Sequence, residues 1–255
     1  MVIYNFIPLQ FKDFGLKEKN THKALIMSNL VLVLGESGSG KSTSIKTLNP
    51  KETVVFNILG KRLPFKGSAK EYNTANNNLF KIDDWQTIIS YLQSLSDNAP
   101  NIKNVVLDDA VYIIRTEFFN RSKEKGFDKY NELADHFRRI ISTCASLRDD
   151  LNIFMLLHVE AIEEDGNVVG YKSSSVGKLL DKMYRPEENT AITLFAKPQF
   201  DDKGNAKFGF YTHKIKVGGV EMPSKTPEGM FDEDYIPNDL QLVVDAMNKY
   251  YNGED

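Results

Sequence analysis

The chain has little cysteine, no excess of either charge and no long hydrophobic run, and each shortage excludes a class of protein. Its single cysteine, Cys144, excludes an internal disulfide framework and a four-cysteine zinc site. With 32 Lys and Arg against 35 Asp and Glu, the net charge of −3 argues against a uniformly basic nucleic-acid binder. No apolar segment approaches the ~18 residues that span a bilayer. The first residues lack the pattern of a secretory signal, so we expect a cytoplasmic protein that does not contact membranes.

The order of apolar runs along the chain is typical of a mainly parallel sheet with helices on both faces. Apolar runs predict buried strands at residues 30–34, 53–58, 105–107 and 153–157, and the first of them is unbroken. Between them, Asp83 with Gln86 three residues later predicts the start of a helix through Leu95, and two more helices are expected before Leu147. Alternating strands and helices of this kind predict an α/β fold.

The last third of the chain predicts antiparallel structure beside this core. Residues 191–195 and 208–213 flank a polar turn at 201–205, which favours a β-hairpin. The proline-rich segment 223–237 predicts a loop or strap. Asn238 is the expected N-cap of a final amphipathic helix.

The sequence contains no clean linker, so we expect one domain over residues 1–255. Its core is expected at about 22–198, followed over about 199–255 by the hairpin, the strap and the last helix. The polar stretch 60–78 predicts an exposed loop. A weak strand is also expected at 22–27.

The segment after the first buried strand carries the strongest chemical signal. Its sequence fits the phosphate-loop pattern at every fixed position, and the residues predicted to bind nucleotide are Gly35, Glu36, Ser37, Gly38, Ser39, Gly40, Lys41, Ser42 and Thr43. Glycines let backbone N–H groups converge on phosphate oxygens, and a following helix adds its positive end. Lys41 is expected to reach the β- and γ-phosphates, Ser42 to ligate Mg²⁺ and Thr43 to contact the α-phosphate. Because the guanine-binding motif Asn-Lys-x-Asp is missing, we expect ATP with Mg²⁺.

Two acidic residues and a histidine at later strand ends complete the predicted site. Asp108 ends an apolar run and is the predicted metal residue, acting through a bound water, the alternative being a cap of the next helix. Asp109 is expected to orient the attacking water, with Glu36 a weaker rival and a helix-capping role the alternative. His158 is expected to begin a loop after the run 153–157 and to sense the γ-phosphate, the alternative being a surface histidine without a role. Lys41, Asp109 and His158 are therefore the predicted catalytic residues.

Basic and aromatic residues outside these motifs are candidates for contact with DNA or with a neighbouring subunit. The basic residues form three groups: Lys61, Arg62, Lys66 and Lys70; Lys178, Lys182 and Arg185; and Lys214 with Lys216. A solvated surface is the alternative for each group. Lys178, Lys214 and Lys216 are predicted to contact DNA phosphates or to act in a neighbour's ATP site. Tyr72, Phe65 and Tyr171 are candidates for stacking on bases, with core packing the alternative for Phe65.

Taken in order, these segments resemble the bacteriophage RecA-type ATPases from about Asn29 to Tyr250. The resemblance is carried by the phosphate loop, Asp108-Asp109, residues 117–126, residues 147–150 with His158, residues 176–181 and residues 229–240. It implies a RecA-like core, ATP hydrolysis and a role in phage DNA metabolism, similar to ATPases associated with single-strand annealing and recombination. It also implies a homo-oligomer on single-stranded DNA with ATP at subunit interfaces.

Two other functions remain open from the sequence. RecA-type proteins usually carry a catalytic glutamate at the end of the strand corresponding to 54–59, and this strand has none. Its absence suggests a non-catalytic, nucleotide-dependent scaffold. A small-molecule or nucleotide kinase shares the phosphate loop, but such kinases usually add an arginine-rich lid, and Arg62 is the only arginine in the stretch 60–78.

Overall fold

A central, mainly parallel sheet organises the chain in the computed structural model, which describes residues 27–126, 128–175 and 184–253. Its strands are β1 (Asn29–Gly35), β2 (Thr53–Asn57), β3 (Leu79–Phe80), β4 (Asn104–Asp108), β5 (Asn152–Glu164), β6 (Asn167–Ser173), β7 (Ile192–Ala196), β10 (Gly209–Tyr211) and β13 (Tyr235–Pro237). The strand order is β13-β10-β7-β1-β5-β4-β2-β3, with β6 paired to β5. Two short ribbons lie outside this sheet, β8 (Gln199–Phe200) with β9 (Ala206–Lys207), and β11 (Lys216–Val217) with β12 (Val220–Glu221). The predicted α/β fold is confirmed.

The helices between these strands differ greatly in length. They are α1 (Ser68–Glu71), α2 (Trp85–Asn98), α3 (Val111–Asn120), α4 (Asp128–Ala145) and α5 (Leu240–Asn252), with 3₁₀ helices at Ser42–Thr47 and Pro186–Asn189. Cys144 lies on α4 and is fully buried, and burial raises the pKa of its thiol to about 12. Among the described residues, no helix combines the length and apolar character needed to cross a bilayer.

Both faces of the sheet are buried, as β1 shows. Leu30, Leu32 and Leu34 point into one core with residues of α2, α3 and α4. Val31 and Val33 point into a second core, which contains residues of α5 and of the first 3₁₀ helix. Alternation of this kind is required when a strand is covered on both sides, and each fully buried aliphatic side chain contributes roughly 1.5–3 kcal/mol.

A row of polar side chains crosses the amino-terminal end of the sheet. The Asn29 amide donates to Asn152 Oδ1 at 3.0 Å, and the Asn152 amide donates to Asn104 Oδ1 at 3.1 Å. The Asn104 amide in turn lies 3.4 Å from Thr53 Oγ1. These residues are direct register partners across β1, β5, β4 and β2. The row therefore satisfies buried polar groups only when the strands pair in this register.

Both predicted helix caps are displaced by one residue. Asp84, rather than Asp83, accepts the backbone N–H of Thr87 at 2.8 Å and begins α2. Asp239, rather than Asn238, accepts the N–H of Leu242 at 3.0 Å and begins α5. In each pair of adjacent capping residues, the second has the extended backbone that an N-cap requires.

The helix expected after the phosphate loop is a 3₁₀ helix of six residues rather than a long α-helix. It ends at Thr47, because Leu48 has an extended backbone, and Pro50 two residues further on cannot continue a helix. The end of this helix is instead joined to α5, because Thr47 Oγ1 accepts the backbone N–H groups of Leu240 at 3.0 Å and Gln241 at 3.3 Å.

The prediction that His158 begins a loop is wrong. β5 continues through His158 to Glu164 and turns back at Asp165-Gly166 into β6. Both turn residues have positive φ, 49° and 80°, which is the geometry that an Asp-Gly hairpin turn supplies. The strand leaves the sheet after His158 and pairs with β6, so its far half is exposed and lacks the apolar pattern of a buried strand.

The predicted C-terminal hairpin is confirmed, and it belongs to the main sheet. β10 pairs antiparallel with β7, and β13 pairs with β10. The turn at 201–205 is enclosed by the separate ribbon β8–β9. The predicted strand at 22–27 lies mostly outside the described residues, and the single-domain interpretation of 1–255 stays a prediction.

The stretch 60–78 is not simply an exposed loop. It contains α1, and Tyr72 is buried in the core with its hydroxyl 3.3 Å from the Leu48 carbonyl oxygen. Phe65 packs edge-on against the Tyr72 ring with centroids 6.0 Å apart. The Tyr171 ring packs against Phe195 at 5.0 Å. Tyr72 is therefore a core residue, and stacking on bases is excluded for it.

Candidate functional site

The predicted metal and catalytic residues meet the phosphate loop at the carboxyl end of the parallel strands. β1 ends in Gly35, β4 ends in Asp108, and His158 is the register partner of Gly35 on β5. Together with the loops that follow, they form a cleft of about 300 Å³. Its lining residues are Ser37, Gly38, Ser39, Gly40, Lys41, Ser42, Thr43, Lys61, Arg62, Pro64, Asp108, Asp109, His158 and Phe208.

The phosphate loop needs glycine at specific positions. Gly38 and Gly40 have φ of 77° and 95°, in the left-handed region that side chains disfavour. At Gly35 the constraint is packing, because a Cβ there would lie 2.6 Å from the Ala196 carbonyl oxygen and 2.5 Å from Ser39 Oγ. The glycines therefore fix both the curvature of the loop and its close contact with β7.

Lys41 lies under the loop rather than in solvent. Its ammonium group donates to the carbonyl oxygens of Gly35 at 2.7 Å and Glu36 at 2.8 Å. Burial lowers the pKa of Lys41 to about 8, against the opposing pull of Asp109 and Asp108. The cation is therefore held at the floor of the cleft, where a bound polyphosphate would meet it.

Ser42 and Asp108 form a pair of oxygen ligands at the same floor. The Ser42 hydroxyl donates to Asp108 Oδ1 at 2.7 Å, linking the first 3₁₀ helix to β4. Burial raises the pKa of Asp108 to about 6, while the hydrogen bond from Ser42 opposes the shift. Hydroxyl and carboxylate oxygens are the hard ligands that Mg²⁺ prefers, and Mg²⁺ usually takes few protein ligands beside phosphate and water. These residues therefore fit the predicted metal.

Asp109 stands at the centre of a second hydrogen-bonded group. Its Oδ1 lies 2.8 Å from Nε2 of His158, and its Oδ2 lies 3.1 Å from Nζ of Lys61. Burial raises the pKa of Asp109, but the hydrogen bonds from His158 and Lys61 outweigh burial and the net shift is downward. Its backbone has φ of 61°, uncommon for a residue other than glycine and typical of functional sites. Asp109 is thus held as an anion facing the cleft.

A family model described as an AAA domain matches residues 27–187. The matched span contains the phosphate loop, Asp108, Asp109 and His158. The chain belongs to this AAA domain family. Proteins of the family are generally ATPases that bind nucleotide. A comparison with curated proteins gave no match.

Lys61 is a residue of the cleft that was not predicted from the sequence. The sequence grouped it with Arg62, Lys66 and Lys70 as a candidate for DNA contact or action in a neighbour's site. In the structure Lys61 and Arg62 line the cleft of the same chain, and Lys66 and Lys70 do not. The feature of the sequence that could have identified Lys61 is its position in the loop after β2, since loops at this edge of a parallel sheet face the ligand crevice.

The other predicted residues lie in different places. Thr43 lines the cleft, whereas Glu36 is exposed, lies outside the lining and contacts Lys41 through its carbonyl oxygen. Lys214 pairs with Glu221 at 2.9 Å, and Lys216 is exposed on β11. Lys178 lies outside the described residues. The cleft of the AAA domain therefore brings together the predicted metal and catalytic residues, and its lining includes neither Lys214 nor Lys216.

Proposed function

We propose that this AAA domain binds Mg-ATP and hydrolyses it to serve phage DNA recombination or replication in the host cytoplasm. One observation carries the enzymatic part of the proposal. The Ser42 hydroxyl and Asp108 carboxylate lie 2.7 Å apart beside buried Lys41, at the floor of a cleft that also holds an ionised Asp109. This set supplies oxygen ligands for a metal, a cation for phosphate and a carboxylate for water.

Each residue is assigned a distinct role in hydrolysis. Ser42 and Asp108 would hold Mg²⁺, which when bound supplies positive charge to the phosphate oxygens. Lys41 neutralises the oxygens of the terminal phosphates, and the loop N–H groups converge on the same anion. Asp109 accepts a hydrogen bond from the attacking water and orients it in line with the terminal phosphorus.

His158 positions Asp109 in this scheme. Since an ionised carboxylate only accepts hydrogen bonds, Nε2 of His158 carries the proton in their 2.8 Å contact. This contact fixes the direction of the Asp109 side chain from β5. His158 also lines the cleft, which supports its assignment as the residue that senses the terminal phosphate.

The role in DNA metabolism and the assembly into a homo-oligomer on single-stranded DNA are supported by the resemblance to phage RecA-type ATPases. Exposed basic residues such as Lys216 are available for phosphate contacts. Lys178 and Lys214 are the other proposed contacts with DNA or with a neighbour's ATP site.

Phosphate release tests the proposal directly. The wild-type chain is assayed with ATP in Mg²⁺ or in EDTA, with and without single-stranded DNA, over a range of protein concentrations. We expect release that requires Mg²⁺, rises with DNA and rises more than linearly with protein concentration. Lys41→Ala should abolish nucleotide binding and release together. Absence of triphosphate binding by the wild-type chain in Mg²⁺ would refute the enzymatic proposal, and release indifferent to DNA would refute the DNA-linked part.

A non-catalytic scaffold is the second candidate, and one feature of β2 favours it. Asn57 ends this strand where RecA-type proteins usually carry the catalytic glutamate, and its side-chain amide donates to the Lys61 carbonyl oxygen. The Asn57 side chain thus holds the loop at Lys61, and this position provides no carboxylate to orient the attacking water. Gel filtration with ATP and with ADP, combined with the measurement of phosphate release, distinguishes the two. A scaffold changes its oligomeric state with nucleotide while releasing no phosphate.

A further inference from the structure

The sheet order fixes which way a triphosphate would lie in the cleft. β5, β4 and β2 lie on one side of β1, and β7 and β10 lie on the other. Asp108, Asp109, His158 and Lys61 all come from the first side. If they surround the terminal phosphate as proposed above, the nucleoside must leave the phosphate loop toward β7 and β10.

Phe208 is the aromatic residue that lines the cleft on that second side. It directly precedes β10, and its ring is so close to the loop that a Cβ on Gly40 would lie 3.0 Å from Phe208 Cδ1. The side chain is 42% exposed although it lines a cleft. An exposed aromatic face beside a polyphosphate loop suits the stacking of a nucleobase.

The backbone on both sides of Phe208 is held in place. The Tyr235 hydroxyl lies 2.8 Å from the Lys207 carbonyl oxygen, and the backbone N–H of Lys197 donates to the Gly209 carbonyl oxygen at 3.3 Å. Gly209 packs directly on β13, where a Cβ would lie 2.3 Å from the Ile236 carbonyl oxygen. The backbone that carries the Phe208 ring is therefore fixed at the start of β10. Little further ordering of this backbone is needed when a ligand stacks on the ring.

We propose that Phe208 is the stacking platform for the purine base of the bound nucleoside triphosphate. The inference rests on the proposed function, because the direction of the nucleotide follows from the assignment of Asp109 and His158. Phe208 provides a flat apolar face and no side-chain hydrogen bond, so it contributes affinity for the base and none for the phosphates. The contribution of Phe208 can therefore be measured by comparing a ligand that has a base with one that has only phosphates.

Titration calorimetry with two ligands, Mg-ATP and magnesium with inorganic triphosphate, tests the platform. Phe208→Ala should weaken ATP binding about 5- to 150-fold, the effect expected for the loss of one stacking face. The affinity for inorganic triphosphate should stay unchanged in the same variant. Phe208→Trp should keep the affinity for ATP. Phe200→Ala is the matched control, because Phe200 is 68% exposed on the neighbouring ribbon and does not line the cleft.

The outcomes are distinguishable. Unchanged ATP affinity in Phe208→Ala overturns the proposal. An equal loss of affinity for ATP and for inorganic triphosphate also overturns it, because that result would indicate damage to the phosphate loop. Loss of affinity for single-stranded DNA alone would assign the ring to DNA bases and also overturn it. If the wild-type chain binds neither ligand, the proposed function itself has failed.

Discussion

Nε2 of His158 lies 2.8 Å from Oδ1 of Asp109, joining the end of β4 to the middle of β5 across the cleft. The other carboxylate oxygen of Asp109 is held by Lys61 at 3.1 Å. With both oxygens engaged and a pKa below its usual range, Asp109 is an anion at neutral pH. The group is therefore prepared to accept a hydrogen bond from water, and its neighbours determine where it points.

Asp109→Asn should separate hydrolysis from binding. The amide keeps the size of the side chain and loses its basicity, so we expect hydrolysis to fall about 10²- to 10⁴-fold. ATP affinity should stay close to wild type, because Lys41 and the loop are untouched. Single-turnover phosphate release and equilibrium binding measure the two quantities. Wild-type hydrolysis in this variant would show that Asp109 is not the water-orienting residue.

Lys61→Ala should weaken catalysis without weakening the fold. The Lys61 side chain is 64% exposed and its ion pair with Asp109 is free to break, so Nζ can turn to the terminal phosphate when ATP binds. Removal of one such donor typically costs on the order of 10²- to 10³-fold in rate. The affinity for ATP should fall while that for ADP, which lacks the terminal phosphate, stays the same.

Lys66→Ala is the matched control for Lys61, since Lys66 is exposed on the same loop and does not line the cleft. Its hydrolysis should equal that of the wild-type chain. Equal losses of ATP and ADP affinity in Lys61→Ala would instead place this lysine near the inner phosphates.

How far the sequence predicts the structure depends on whether a feature is local. Apolar runs and the glycines from Gly35 to Gly40 predict the strands and the phosphate loop, because both depend on neighbouring residues. The partnership of Asp109 with Lys61 joins residues 48 positions apart and depends on the pairing of β2 with β4. The hairpin after His158 was marked by Asp165-Gly166, a local turn signal that the interpretation of His158 as the start of a loop overlooked.

Asn152→Ala should destabilise the fold and leave nucleotide binding intact. Asn152 is buried, accepts from Asn29 and donates to Asn104, so its loss leaves polar groups unpaired at the amino-terminal end of the sheet. A buried group without its partner costs about 1–3 kcal/mol. Urea unfolding should show this loss, whereas Asn101→Ala, at an exposed position, should not. ATP affinity should be unchanged because the cleft lies at the opposite end of the strands.

Proton uptake should accompany ATP binding at alkaline pH. Burial lowers the pKa of Lys41 to about 8 in the free protein, so below pH 8 the ammonium form prevails and above it the neutral amine does. A bound polyphosphate stabilises the charged form and raises this pKa again. Binding should therefore take up almost no proton at pH 7 and a substantial fraction of one at pH 9, with affinity falling as the pH rises through 8.

Calorimetry of Mg-ATP binding in buffers of different ionisation enthalpy measures this uptake. Lys41→Arg is the control, since its guanidinium stays protonated throughout the range and should remove the pH dependence in any variant that still binds. Proton uptake at pH 9 that persisted in Lys41→Arg would have to come from another group. Uptake that was absent from the wild-type chain would mean that Lys41 is already charged in the empty cleft, with its carbonyl contacts to Gly35 and Glu36 outweighing burial.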